Sequence, residues 1–184
     1  MSAVVRCWES SDPAYNDYHD FEWGRPVRDE HGLYERLCLE GFQSGLSWLT
    51  ILRKRENFRA AFAGFDPEVV ADERDVKRLL GDAGIVRHRG KIEAAIANAR
   101  ATCALRESGS PLHELVWEYR RDGPPTTEWV AQTPESVELS KRLRKAGFRF
   151  VGPTTVYSTL QACGVVNDHR AACFVRDEVE RERR

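Results

Sequence analysis

Four residues near the two ends of the chain are of types that bind soft metal ions. Cys7 and His19 stand near the N-terminus with eleven residues between them; His169 and Cys173 stand near the C-terminus with three between. On a helix the second pair would project from one side. Two thiolates and two imidazoles suit tetrahedral zinc. The spacing is that of no standard zinc finger, because the two halves lie at opposite ends of the chain. Such a metal would staple the termini together, and with four protein ligands it would be structural rather than catalytic. The same residues read equally well as two buried thiols with incidental histidines.

A second constellation is aromatic and acidic. Trp8, Tyr15, Tyr18 and Trp23 surround one N-terminal segment, Trp48 follows in CLEGFQSGLSW, and Glu40 lies in that same stretch. A carboxylate among rings can recognise a flat, cationic heterocycle, since π-faces stack on it and the acid accepts its N–H groups. The competing reading is a tryptophan-rich core with Glu40 on the surface.

A third is basic. ELSKRLRKAGFRFVGPTTVYSTLQACG (138–164) reads as helix, tight hairpin, helix, with Gly147 ending the first helix, Gly152 expected at positive φ, and Pro153 opening the second. Lys141, Arg142, Arg144, Lys145 and Arg149 crowd its first half. A hairpin of this kind can aim backbone amides at a phosphate, with a helix N-terminus behind them. It can also be an αα-corner with a solvated basic face. RHRGK (87–91) and RKR (53–55) are two further basic stretches, and one shared basic face would follow a nucleic-acid backbone.

The elements that must position these groups are helical. Ile92, Ala95, Ile96, Ala99 and Cys103 form an i, i+3, i+4, i+7, i+11 stripe; Leu33, Leu37 and Cys38, then Ile51, Phe58 and Phe62, repeat the pattern. Leu112, Leu115, Val116 and Tyr119, Leu139 and Leu143, and Val156, Leu160 and Cys163 mark later helices. Asp12-Pro13 and Asp66-Pro67 each put a capping residue before a first-turn proline. Glycines 41, 64, 81, 84, 109, 147 and 164 are expected near helix ends. GFRFV at 147–151 is too short to carry a sheet, and no internal repeat appears.

The expectation is an all-α chain of roughly eight to ten short helices. A single domain would span 1–176, with a linker at 122–129 (DGPPTTEW) and a charged, frayed tail at 177–184.

The bulk properties agree. The chain has 184 residues, 28 Lys+Arg against 29 Asp+Glu, and 41% hydrophobic residues, which is globular composition with room for one core. A net charge of −1 argues against a generically adhesive nucleic-acid binder. No apolar run approaches the roughly 20 residues of a membrane span, and an acid and a proline interrupt the N-terminus before a signal-peptide core could form. A cytoplasmic protein is expected. Five cysteines without regular spacing speak for thiols or metal ligands rather than a disulfide framework.

RCWESSDPAYNDYHDFEWG, LCLEGFQSGLSW, RKRENFRAAFAGFDP, DAGIVRHRGKI and GFRFVGPTTVYSTLQACGVVNDH together resemble the DNA-3-methyladenine glycosylase I family across about positions 6–173. The resemblance implies a helix-hairpin-helix glycosylase fold, with a lesion pocket between two helical lobes and a hairpin at about 138–164 anchoring double-stranded alkylated DNA. It implies a structural zinc ion, one per chain, on Cys7, His19, His169 and Cys173. Glu40 would be the pocket carboxylate that reads the methylated base, Tyr18 and Trp48 its stacking rings, and Trp8, Tyr15 and Trp23 pocket-lining positions. Gly147, Gly152, Arg142, Lys145 and Arg149 would face the DNA backbone.

The implied activity is monofunctional hydrolysis of the N-glycosidic bond of 3-methyladenine, by a monomer needing no protein partner. The reading from a different class is a non-catalytic, zinc-stapled module that binds DNA structure. Two departures stand out. The Cys7–His19 interval is one residue shorter than is typical of the family, because Trp8 follows Cys7 directly. Asn167 occupies the position where many superfamily relatives carry a catalytic aspartate, with Asp168 beside it.

Overall fold

Asp12 and Asp66 do what their pairing with proline predicts. Each holds extended backbone and accepts a hydrogen bond from the amide two residues on, Ala14 and Glu68, at 2.9 Å in both cases. The computed structural model describes residues 4–122 and 129–184, so most of the expected 122–129 linker lies outside the described residues.

Among the described residues there are ten α-helices and no strand. They are α1 (Pro13–Phe21), α2 (Glu30–Gln43), α3 (Trp48–Ala61), α4 (Pro67–Ala71) and α5 (Val76–Gly81), followed by α6 (Arg89–Glu107), α7 (Leu112–Trp117), α8 (Pro134–Lys145), α9 (Pro153–Ala162) and α10 (Arg176–Glu182). No helix among them is long and apolar enough to cross a membrane.

α2 is the central element and packs against α3, α6, α7 and α9. Leu33, Tyr34, Leu37, Leu39 and Phe42 are buried on more than one side of it, each worth roughly 1.5–3 kcal/mol of apolar transfer. From Leu33 to Phe42 every residue but Arg36 is buried, so this part of the helix has almost no solvent face for a polar side chain. Glu40, on its last turn, is therefore carried inside at 7% exposure. Gly41 lies in the last turn of α2, near its end as expected, and the helix runs on to Gln43 because the apolar contacts continue to Phe42.

Apolar side chains form two clusters. The larger joins α2, α3, α6, α8 and α9; the smaller gathers Cys7, Tyr18, Trp23, Cys173 and Val179 from both ends of the chain, and Trp48 packs against both.

The turn between α8 and α9 closes as a left-handed cap. Gly147, at φ 101°, donates to Arg144 O and Phe148 donates to Leu143 O, both at 3.0 Å. The expected positive φ at Gly152 is not there. Gly152 is extended at φ −62°, and the second left-handed residue is Phe150 at 54°. The chain reverses before Gly152, which instead caps α9 without a side chain, so nothing from residue 152 covers the first amides of α9.

The expected frayed tail is also corrected. Residues 177–184 belong largely to α10, whose Val179 is fully buried, and Arg183 is 1% exposed. The Arg183 guanidinium donates to Gly164 O, Arg121 O and Val165 O, so a charge-rich segment is held by carbonyls of three other positions.

Candidate functional site

Glu40 and Gln43 from α2, Tyr15 and Tyr18 from α1, Trp48 from α3, and Ser158 and Gln161 from α9 line one open cavity of about 210 Å³, with Trp8, Trp23 and Trp129 completing its wall. All six residues assigned from the sequence to base recognition meet there. Tyr18 and Trp48 lie 5.2 Å apart between ring centroids, tilted by 42°; Trp8 lies 5.3 Å from Tyr15 and 5.0 Å from Trp23. The indole nitrogens of Trp8 and Trp48 are buried without a hydrogen-bond partner, so two donors in this wall are left unspent.

Among the described residues, no group donates a hydrogen bond to the Glu40 carboxylate. Burial pushes its pKa up to about 8, and the positive charge of Arg36, one turn earlier on α2, only partly opposes this. Arg36 is itself drawn to Glu22 at 2.9 Å, which Arg55 also clamps. Burial disfavours ionisation of Glu22, but the two guanidiniums outweigh it and hold its pKa down to about 2. The cavity thus presents a carboxyl that a cationic, N–H-bearing guest would ionise and satisfy.

Behind the rings sits the Cys/His set. The ligand atoms of Cys7, His19, His169 and Cys173 all lie within 4.8 Å of one another, and all four residues are buried. Cys7 Sγ is 3.3 Å from His169 Nδ1, and Cys173 Sγ lies 3.4 Å from His169 Nδ1 and 3.5 Å from His19 Nε2. Metal–ligand bonds of about 2.0–2.3 Å give tetrahedral edges of about 3.3–3.8 Å, which these three edges match, while the set as a whole spreads to 4.8 Å and would draw in slightly around a four-coordinate ion.

The surroundings fit as well. His19 Nδ1 pairs with Asp20 at 2.8 Å, and the Arg6 guanidinium holds Asp20 in turn at 2.7 Å. His169 Nε2 donates to Trp23 O at 3.0 Å. Each imidazole therefore turns its other nitrogen toward the cluster, where His19 Nε2 also accepts the Cys7 N–H at 3.1 Å. Burial pushes the Cys7 thiol up to about 12 and His169 down to about 4, so only a cation would hold the thiolate there. Gly24 permits the close packing: at φ 82°, a Cβ on it would lie 2.8 Å from His169 Nε2. The cluster also sets the cavity wall, since Trp8 stands edge-on to His19 at 4.7 Å and Trp23 to His169 at 4.6 Å.

The RKR stretch offers no free basic face, whereas RHRGK adjoins the hairpin through His88 and Phe150. In RKR, Arg53 pairs with Asp12, Lys54 donates to Ala83 O and Gly84 O, and Arg55 pairs with Glu22. In RHRGK, Lys91 turns inward while Arg87 and Arg89 stay exposed. Arg142 is committed to Glu118 at 2.6 Å and to the Tyr119 hydroxyl at 3.0 Å. Lys145 and Arg149 are exposed beside Gly147.

Neither Asn167 nor Asp168 lines the cavity. Asn167 braces the loop that carries His169 against α10 through Arg176 O at 3.1 Å and Glu180 at 3.0 Å. Asp168 accepts hydrogen bonds from the Tyr157 hydroxyl and from Gln161 at 2.8 Å.

Comparison with known proteins decides the family. The model of the methyladenine glycosylase family matches residues 8–176. This chain belongs to the methyladenine glycosylase family. It is similar to DNA-3-methyladenine glycosylase 1 of Escherichia coli K12, at 52% identity over 92% of this chain and 96% of that protein. It superposes on a crystal structure of 3-methyladenine DNA glycosylase I with a TM-score of 0.86 and 50% identity, covering 92% of this chain and 98% of that one. The Staphylococcus aureus enzyme, studied for its recognition of 3-methyladenine, gives the same TM-score at 35% identity, over 91% of this chain and 93% of that one.

Sequence reasoning about this methyladenine glycosylase missed Gln43, Ser158, Gln161 and Trp129 in the wall, and Arg36 and Glu22 beneath it. Ser158 and Gln161 are an i, i+3 pair on α9 and were open to a helical-face reading. Trp129 carried no such signal.

Proposed function

We propose that this chain hydrolyses the N-glycosidic bond of 3-methyladenine in alkylated double-stranded DNA, releasing the free base and leaving an abasic site. The observation that carries the reading is the cavity itself: a buried carboxyl, with no hydrogen-bond donor to it among the described residues, set among aromatic rings. Methylation at N3 puts positive charge on the purine, so the base departs neutral and needs little help from an acid. Extrusion, stacking and charge recognition then suffice. Tyr18 and Trp48 would stack on the extruded base, with Tyr15, Trp8 and Trp23 enclosing it. Glu40 would accept its N–H groups as an ionised carboxylate.

The same reading takes α8, its turn and α9 as the helix-hairpin-helix of the glycosylase superfamily, with the pocket between two helical lobes. The Gly152 amide, with Lys145 and Arg149, would hold the DNA backbone; Gly147, whose N–H is spent on Arg144 O, would only shape the turn, and Arg142, paired with Glu118, leaves that group. Cys7, His19, His169 and Cys173 would hold Zn²⁺, which supplies a cross-link between the termini and no reacting position. The enzyme would act as a cytoplasmic monomer without a lyase step.

A non-catalytic DNA-binding module needs the hairpin and the metal but leaves Glu40 and its rings idle, so the formed cavity argues against it. A catalytic zinc centre is disfavoured because the protein already supplies four ligands.

The test is chromatographic analysis of bases released from methylated duplex DNA, with Glu40→Gln alongside. Free 3-methyladenine from the wild type alone supports the reaction and the role of Glu40. Silence from folded, metal-loaded wild type refutes it in favour of the binding module.

A further inference from the structure

Lys91 is the one residue of the RHRGK stretch that cannot serve a nucleic-acid backbone. It is 8% exposed, and its ammonium lies 2.9 Å from Phe42 O and 2.5 Å from Ser44 O. Those carbonyls close the C-terminal end of α2, which has no basic side chain in its own last turn. Lys91 sits in the first turn of α6, the positive end of that helix's dipole, where a cation is disfavoured. Its burial also works against its charge. The cation is misplaced for α6 and well placed for α2, whose terminal carbonyls attract it.

The segment it grips is the mouth of the cavity. Between Gln43 and Trp48, both in the cavity wall, the chain turns through Gly45 at φ 80°. The turn is closed by Leu46 N to Gln43 O and by Gln43 Nε2 to Leu46 O, each at 2.7 Å, and Leu46 is 39% exposed at its tip.

Seven residues further along α6, on the same face and about 10 Å away along the axis, Asn98 grips the other loop. Its Oδ1 accepts from Arg149 N at 2.7 Å and its Nδ2 donates to Arg149 O at 3.1 Å. His88, which caps α6, meets the ring of Phe150 edge-on at 6.1 Å. One helix thus holds, through two buried polar side chains, the turn at the cavity mouth and the hairpin between α8 and α9.

We propose that Lys91 and Asn98 are positioning residues that fix the 43–48 turn in register with the 146–152 hairpin. Their contribution is to excision from duplex DNA and not to binding of the free base. The inference rests on the glycosylase reading. A base already free needs only the cavity, whereas a base in duplex must be extruded while hairpin and mouth engage the same strand at a set separation.

The experiment compares wild type, Lys91→Met, Lys91→Arg and Asn98→Ala. Single-turnover release of 3-methyladenine from methylated duplex is measured beside the affinity for free 3-methyladenine, followed by tryptophan fluorescence. Lys91→Met is expected to lose at least tenfold in excision with free-base affinity within twofold of wild type. Lys91→Arg, which keeps the cation, should recover to within threefold of wild type. Asn98→Ala should show the same split, and it carries the test should Lys91→Met not fold. Excision and free-base affinity falling in parallel would reduce Lys91 to a stabiliser of the pocket, and unchanged excision would remove its role altogether. Wild-type protein that binds the free base but releases none from DNA would instead sink the glycosylase reading itself.

Discussion

Replacing Glu40 by glutamine should make the protein more stable at neutral pH while removing its activity. The carboxyl's pKa rises from an ordinary 4.5 to about 8 because the central helix carries it into the interior. Since the folded value lies above the unfolded one, ionisation opposes folding. The penalty is absent below about pH 4.5, grows through the interval, and is complete above about pH 8. Linkage over that shift gives about 3 kcal/mol at pH 7 and under about 1 kcal/mol at pH 5. Glutamine has nearly the same shape and no proton to lose, so Glu40→Gln should recover that stability. Urea unfolding at both pH values measures it: the variant's advantage should be large at pH 7 and small at pH 5. A variant equally stable or weaker at pH 7, or an advantage independent of pH, would refute the view of Glu40 as a buried carboxyl held for a cationic guest. The stability it sacrifices in the empty pocket is what a bound cation would restore.

The same carboxyl should shape the rate. Excision kcat/KM is expected to rise with pH toward about 8 in wild type, as the ionised form accumulates, and a profile flat between about pH 6 and 8 would refute that role. Cys173→Ser should lower bound zinc from one equivalent toward none, by metal analysis, together with the melting temperature. Asp20→Asn, which withdraws the carboxylate from His19, should weaken metal affinity about 10–100-fold in chelator competition. Neutralising Lys145 and Arg149 should reduce the salt dependence of DNA binding by nearly two phosphate contacts, whereas Arg142→Ala should leave the slope unchanged. Deleting residues 177–184 should destabilise the fold by at least about 2 kcal/mol, because two buried carbonyls and one part-buried carbonyl lose the Arg183 guanidinium; an unchanged urea midpoint would restore the frayed tail.

The residue types with unusual chemistry were legible because local pattern and amino-acid identity carry them. Asp12 and Asp66 announced their helices through capping, and the stripes at Leu33–Leu37 and Ile92–Ala99 announced buried faces. The four metal-type residues were legible as a set through their donor atoms, although their halves lie 150 residues apart between His19 and His169.

Charged residues were read least well. Lys91, Arg142 and Arg183 look alike in a sequence, yet one clamps a helix end, one pairs with Glu118, and one is buried among carbonyls. A long cationic side chain takes its role from the acceptor it can reach, and that acceptor lies on another element. The protonation state of Glu40 belongs to the same class, since it depends on how much protein surrounds the carboxyl rather than on its neighbours in the chain. Helix periodicity, capping and donor chemistry act over a few residues, so the order of amino acids alone dictated the all-helical character of this chain and its candidate ligands and rings. Burial, dielectric environment and partner choice act through space, and those were settled when α2 was packed inside the fold and α6 laid beside its end.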